Sequence, residues 1–359
     1  MNRLLAACVL FFTAASARAD KLVLVAGGGT DPDGSAAATA RVIQPFGVDF
    51  AADGTIYVVE MVRGERLRAI TPKGEFITLA GVEGQKGDAG DGGPGLKARF
   101  NGMHSLAVGP DGCVYLADTW NNRVRKYDPK TGIVTAFAGT GEKGFAGDGG
   151  PAAKATFGGC FCVSFDPAGK SLFITDLDNR RIRKVELATG IVSTVAGNGQ
   201  RGVPKDGAEA IAQPLVDPRA HAVDAKGNLY ILERGGHALR VVDAKGTIRT
   251  VAGTGKPGTG GVGGKALDAQ MNGPKHLSID RDGSVLIADT ENHRILRYIP
   301  GEEKVVLVAG TGKKGTGGLG GDPRSAEFNQ PHGVIVHPKT GEIFISDATN
   351  GRVLKIVRE

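Results

Sequence analysis

Six positions hold the side chains with the most chemistry to offer: Phe46, His104, Phe161, Arg219, Lys275 and His332. Each stands just ahead of a short apolar segment, at the same point of a unit that recurs along the whole chain. Taken in order round a ring, Arg219, Lys275 and His332 form a contiguous basic arc, and Phe46 and Phe161 flank His104 on the other side. A basic arc beside apolar walls suits a carboxylate, a phosphate or an acidic sugar. The imidazoles of His104 and His332 can donate hydrogen bonds or hold a metal ion, although a zinc site calls for about three protein ligands and one open position. His276 lies one residue out of register with them and should point elsewhere. Glu233 shares a unit with Arg219 and is placed to pair with it, which would weaken the pull on an anion.

What positions these residues is a repeat. Ile56-Tyr57-Val58-Val59-Glu60 returns as Val114–Asp118, Leu172–Asp176, Leu229–Glu233, Val285–Asp289 and Ile343–Asp347, with the terminal acids 58, 58, 57, 56 and 58 residues apart. Each unit reads as four short strands, for example 105–108, a turn at Asp111-Gly112, 114–117, a polar loop, 123–127, a turn at Lys130-Thr131-Gly132, and 134–138. Four-stranded units repeated radially make an all-β six-bladed β-propeller. The fourth-strand ending Val25-Ala26-Gly27 precedes any inner strand, and the last unit stops after its third strand. The N-terminal strand is therefore predicted to complete the sixth blade, leaving no open edge where the ring joins. The inner-strand starts then line one mouth of the central channel.

Composition agrees. The chain has 57 glycines in 359 residues, more than twice the usual ~7% and without a Gly-X-Y period, which excludes collagen. Glycine at that density is also incompatible with a helix bundle, and 41% hydrophobic residues exclude a disordered chain. Residues 1–19 read as a secretory signal peptide, with Arg3, an apolar stretch from Leu4 to Ala14 and a small-x-small site at Ala17-Arg18-Ala19. The expected mature unit is a single propeller over 20–359, periplasmic or extracellular, without a membrane span. Removing Arg3 and Arg18 lowers the formal charge from +6 to +4. That mild surplus is spread without a basic run, so nucleic acid is not an expected partner. Cys113, Cys160 and Cys162 are odd in number and read as buried thiols rather than a disulfide framework.

The polar loops carry a further signature: Asp118…Asn121-Asn122-Arg123-Val124-Arg125-Lys126, Asp289…Asn292-His293-Arg294-Ile295, and Gln330-Pro331-His332-Gly333-Val334 opening an inner strand. On these residues the chain resembles the NHL-repeat family of six-bladed propellers, over essentially all of 22–357. The resemblance implies the fold strongly and function weakly, because the family includes lyases, RNA binders, sensor domains and adhesion modules. Met103-His104-Ser105 and Pro331-His332-Gly333 are similar to strand starts that carry zinc ligands in the peptidyl-hydroxyglycine amidating-lyase branch; Arg219 stands where that resemblance would place a third histidine.

Other patterns carry less. Four segments match G-x-G-x-x-G, beginning at Gly139, Gly197, Gly253 and Gly310, but each follows an outer strand and opens no βαβ helix, so they are read as blade crossovers using positive φ. Asp88 and Asp91 hint at calcium, although no closing glutamate follows, and a short helical turn after the proline is the expected structure. The strand-ending acids precede an arginine by five residues (Asp118/Arg123, Asp176/Arg181, Asp289/Arg294, Asp347/Arg352) or six (Glu60/Arg66), which reads as a repeated structural ion pair. In the fourth unit Ala238 replaces that arginine. Trp120, the single tryptophan, sits in a loop on the mouth face as a partner anchor or a cover for a neighbouring blade. No Gly-x-Ser-x-Gly elbow occurs. The sequence thus predicts a ligand- or protein-binding scaffold working through Phe46, His104, Phe161, Arg219, Glu233, Lys275 and His332. A metal-assisted lyase or hydrolase, with zinc or calcium at His104 and His332, is the alternative; no resident cofactor is otherwise expected.

Overall fold

The structure is a computed structural model that describes residues 20–358; the signal peptide expected over 1–19 lies outside them. Six antiparallel sheets stand radially round a central channel. The first blade is Pro45–Phe50, Ile56–Glu60, Arg66–Ile70 and Phe76–Gly81, and the other five repeat that order. The strand Lys21–Ala26 pairs with Arg352–Val357, Leu22 opposite Ile356 and Leu24 opposite Leu354, and so supplies the outer strand of the sixth blade. Leu22 and Ala26 are fully buried there. Two blades gain a fifth, two-residue strand from the crossover that enters them.

Apolar residues on both faces of the strands are explained by the core, which is divided into six clusters, one between each pair of neighbouring blades. Each blade buries one face against the blade before it and the other against the blade after. The crossovers drop an apolar residue into these seams; Phe100, Phe157 and Phe328 are fully buried. Gly139, Gly197, Gly253 and Gly310 all have φ between 89° and 95°. At Gly139 a Cβ would lie 2.8 Å from the Asn122 carbonyl oxygen, so the fingerprint-like glycines are steric requirements of the crossover. Short 3-10 turns follow Pro94 and Pro151, as the sequence predicted.

The strand-ending acids are buried anchors. Asp118 accepts from Asn101 N at 2.8 Å and from Asn121 Nδ2 at 2.9 Å, which ties the start of an inner strand to the loop beside it. The expected arginine pairs form at Glu60–Arg66, Asp289–Arg294 and Asp347–Arg352, at 2.7–2.8 Å, and more loosely at Asp118–Arg123, 3.5 Å. Asp176 departs from the rule. Its partner is Arg183, at 3.3 Å, while Arg181 lies over the Phe145 ring.

A second arginine, two residues further along the third strand, was not singled out from the sequence. Arg68, Arg125 and Arg183 turn outward to Asp33, Asp91 and Asp148 of the crossover loops. Asp91 takes both Arg125 and Arg123. The acid that hinted at calcium is thus engaged as a clamp holding the crossover to its blade. Cys113, Cys160 and Cys162 are free and buried.

Candidate functional site

Five of the six mouth residues meet in a closed circuit. The Phe46 ring stacks on His332 with centroids 3.6 Å apart, and Arg219 Nη2 donates to His332 Nε2 at 3.2 Å. The guanidinium lies 4.2 Å over the Phe161 ring, Phe161 meets His104 at 4.6 Å, and His104 returns to Phe46 at 5.3 Å. His104, Arg219 and His332 are each 4% exposed. These residues were expected at the inner-strand starts; side chains from blades 1, 2, 3, 4 and 6 touch there and form a seal of packed rings and one guanidinium. Spacing locates the six positions but not the reach of their side chains, and two phenyl rings, two imidazoles and one arginine are large enough to touch across the axis.

Lys275 stands apart from the circuit. Its Nζ is 2.7 Å from Glu291 Oε1, and Glu291 also accepts from Gln330 Nε2 at 3.0 Å. Glu233 corrects the expected pairing with Arg219: it is fully buried and bound to Arg240, Nε to Oε2 at 2.8 Å, while accepting from Val216 N. Losing the usual arginine at Ala238 is thus compensated two residues on. His276 does point away from the seal, its Nδ1 3.1 Å from Val334 O in the next blade.

Among the described residues Arg219 is thus a buried cation whose only hydrogen bond is to a neutral ring. Its Nε and Nη1 have no hydrogen-bond partner, and it forms no salt bridge among the described residues. Burial pulls the guanidinium down to about 9, with Arg234 adding to the effect and Asp217 opposing it; it remains charged at neutral pH. Burial, then the Arg219 charge, hold both mouth histidines well below the ordinary imidazole range, so both are neutral. His104 Nδ1 faces the Gly102 carbonyl at 2.8 Å and must carry the proton, leaving Nε2 as the lone pair. In His332 the situation reverses: Nε2 accepts from Arg219, so Nδ1 carries a proton that meets no acceptor.

These tautomers bear on the metal alternative. Only His104 keeps a free lone pair; that of His332 is held by Arg219, whose charge also opposes a second cation. Among the described residues no group of three or more His, Cys, Asp or Glu is arranged to hold a metal ion.

Loops of the mouth face brace the seal. Glu65, fully buried, accepts from Gly102 N at 2.7 Å; His237 Nδ1 accepts from Gly273 N, and His293 Nδ1 from Gln330 N. Each fixes the residue two places before a mouth side chain (His104, Lys275, His332). Gly102, at φ 68°, lies flat under Trp120, whose ring a Cβ would meet at 2.4 Å. Trp120 stands edge-on to His104 at 5.7 Å, with the Lys86 ammonium 5.0 Å from its ring, and remains 42% exposed.

The fold defines a class: a six-bladed β-propeller, here with side chains clustered where its inner strands begin. Known proteins narrow it. The model of the NHL repeat matches residues 100–127 and 271–298, and that of the teneurin NHL domain matches 154–258. NHL repeat-containing protein 2 of Gallus gallus is 24% identical over 288 residues, 72% of this chain and 39% of that protein. Protein SUPPRESSOR OF QUENCHING 1, chloroplastic, of Arabidopsis thaliana is 27% identical over 272 residues, 71% of this chain. The chain spans only a quarter of the plant protein's length. Among solved structures, an auxiliary nutrient binding protein from Bacteroides thetaiotaomicron superposes with a TM-score of 0.68 at 15% identity, over 94% of this chain and 76% of that one. The chain carries NHL repeats and folds as a six-bladed β-propeller.

Proposed function

We propose that this chain is an exported binding module that captures an acidic group of a small ligand or a partner protein at the mouth face, with Arg219 as the receptor. The observation that carries this reading is the buried guanidinium with two unpartnered nitrogens. A charge removed from water without a counter-charge costs several kcal/mol, and an arriving carboxylate or phosphate offsets that cost while forming two charge-assisted hydrogen bonds. His332 stands where such a group would displace it from Arg219. Trp120 and the partly exposed Phe161 give an apolar contact beside the acid. Export rests on the leader pattern of residues 1–19. A protein of like fold, the auxiliary nutrient binding protein of Bacteroides thetaiotaomicron, accords with a binding role.

Calorimetric titration with succinate and with inorganic phosphate tests the reading. Binding by the natural protein and its loss in Arg219→Met are expected; equal affinity in the two proteins would end it.

A further inference from the structure

Beneath the seal the channel widens into a chamber of ≈ 280 Å³. It adjoins, through Val108 and Phe165, a funnel of ≈ 620 Å³ on the opposite face, walled by Phe50, Phe165, Pro110, Pro167 and Pro338. None of the six mouth residues lines either cavity.

Three residues after each mouth position the inner strands carry Asp49, Ala107, Ser164, Ala222, Ser278 and Ile335, all lining the chamber. Polar side chains come from blades 1, 3 and 5 and apolar ones from blades 2, 4 and 6. Neighbour packing is the same in every blade and does not call for this alternation. Ser164 Oγ and Ser278 Oγ have no hydrogen-bond partner. His221, 1% exposed and also lining the chamber, uses Nδ1 on Thr175 Oγ1 at 2.8 Å and leaves Nε2 unpartnered. Three buried polar atoms around one cavity therefore lack partners, each at a cost of about 1–3 kcal/mol.

The chamber selects against charge. Burial pushes His221 down to about 3 and His276 to about 4, so neither is cationic at neutral pH. The one acid is Asp49, whose oxygens already accept from Phe50 N at 2.8 Å and Val108 N at 2.7 Å; it repels a ligand anion. A hydroxyl both donates and accepts, and so serves two serines and an imidazole of either tautomer. Apolar walls at the funnel suit the C–H faces of a ring.

We propose that the channel is a second binding site, entered from the face opposite the seal, for an uncharged polyhydroxyl compound of about hexose size. Ser164, Ser278 and His221 bind its hydroxyls, and the funnel walls take its apolar faces. This site is independent of Arg219. The probes are glucose, galactose, mannose and sorbitol, titrated at millimolar concentration and soaked into crystals, with succinate as the charged control.

At least one neutral probe is expected to bind with density against Ser164 and Ser278. The Ser164→Ala/Ser278→Ala variant weakens it about tenfold or more, Ala222→Leu blocks it, and Arg219→Met leaves it unchanged. The serine variant removes only two oxygens, so it reports even if Ala222→Leu fails to fold. Binding by none of the four probes overturns the proposal, as does affinity unaltered in the serine variant, or a soaked channel holding ordered water only.

Discussion

Replacing Arg219 with methionine should make the unliganded protein more stable. Methionine keeps the length and flexibility needed to cover Phe161 while removing the charge. Folding pulls the guanidinium down to about 9, and the gap from its ordinary range corresponds to a burial penalty of about 5 kcal/mol. Against this stand the contact with the Phe161 face, about 1 kcal/mol, and the hydrogen bond to His332, about 1 kcal/mol. The net expectation is a gain of about 3 kcal/mol, in line with replacements of other buried charges by apolar residues. The sign with pH follows from linkage. Below pH 9 the folded group is charged and the penalty is fully present; as pH rises through 9 the natural protein recovers stability relative to the variant. Equilibrium guanidinium denaturation at pH 7 and pH 10 measures both effects. A variant less stable than the natural protein at pH 7 by 1 kcal/mol or more would refute the reasoning, because it would show that Arg219 has a counter-charge.

Other perturbations separate structure from site. Glu233→Ala strands buried Arg240 and should cost about 3–5 kcal/mol in denaturation, with succinate affinity unchanged at temperatures where the variant is folded. Deleting residues 20–27 removes the strand that completes the sixth blade and should sharply lower the thermal midpoint; an unchanged melt would contradict closure by that strand. Burial raises the Asp49 carboxyl to about 6, so its contribution is greatest below pH 4 and is lost as pH rises through 6. The stability of the natural protein relative to Asp49→Asn should therefore fall by about 2–3 kcal/mol between pH 4 and pH 7, and a pH-independent difference would show an unshifted carboxyl. Metal analysis of protein purified without chelator tests the lyase alternative: less than stoichiometric zinc or calcium is expected, and a stoichiometric ion lost in His104→Ala/His332→Ala would favour it.

The architecture was legible because a propeller poses one packing problem six times. The spacing of the strand-ending acids, the six repeated apolar segments and the early Val25-Ala26-Gly27 gave blade count, register and closure. Equivalence among blades also located the mouth residues, five of which meet in space. Two kinds of information were missing. Side-chain reach is not a function of spacing, so the seal and the departure of Lys275 toward Glu291 required coordinates. Partner choice was ambiguous wherever arginines stood two residues apart: Arg181 and Arg183 are both near Asp176, and the expectation fell on the wrong one, just as Arg240 was overlooked for Glu233. His276 was expected to point away from the mouth because it is one residue out of register, and it lines the chamber instead, as does His221.

A crystal structure of the protein grown with succinate bears most directly on the mouth. The expected map has a carboxylate about 3 Å from Arg219 Nε and Nη2, with the His332 ring turned off the guanidinium it now engages through Nη2. A map with Arg219 still on His332 and no anion beside it, or with Arg219 paired to an acidic side chain of the protein itself, would contradict the assignment.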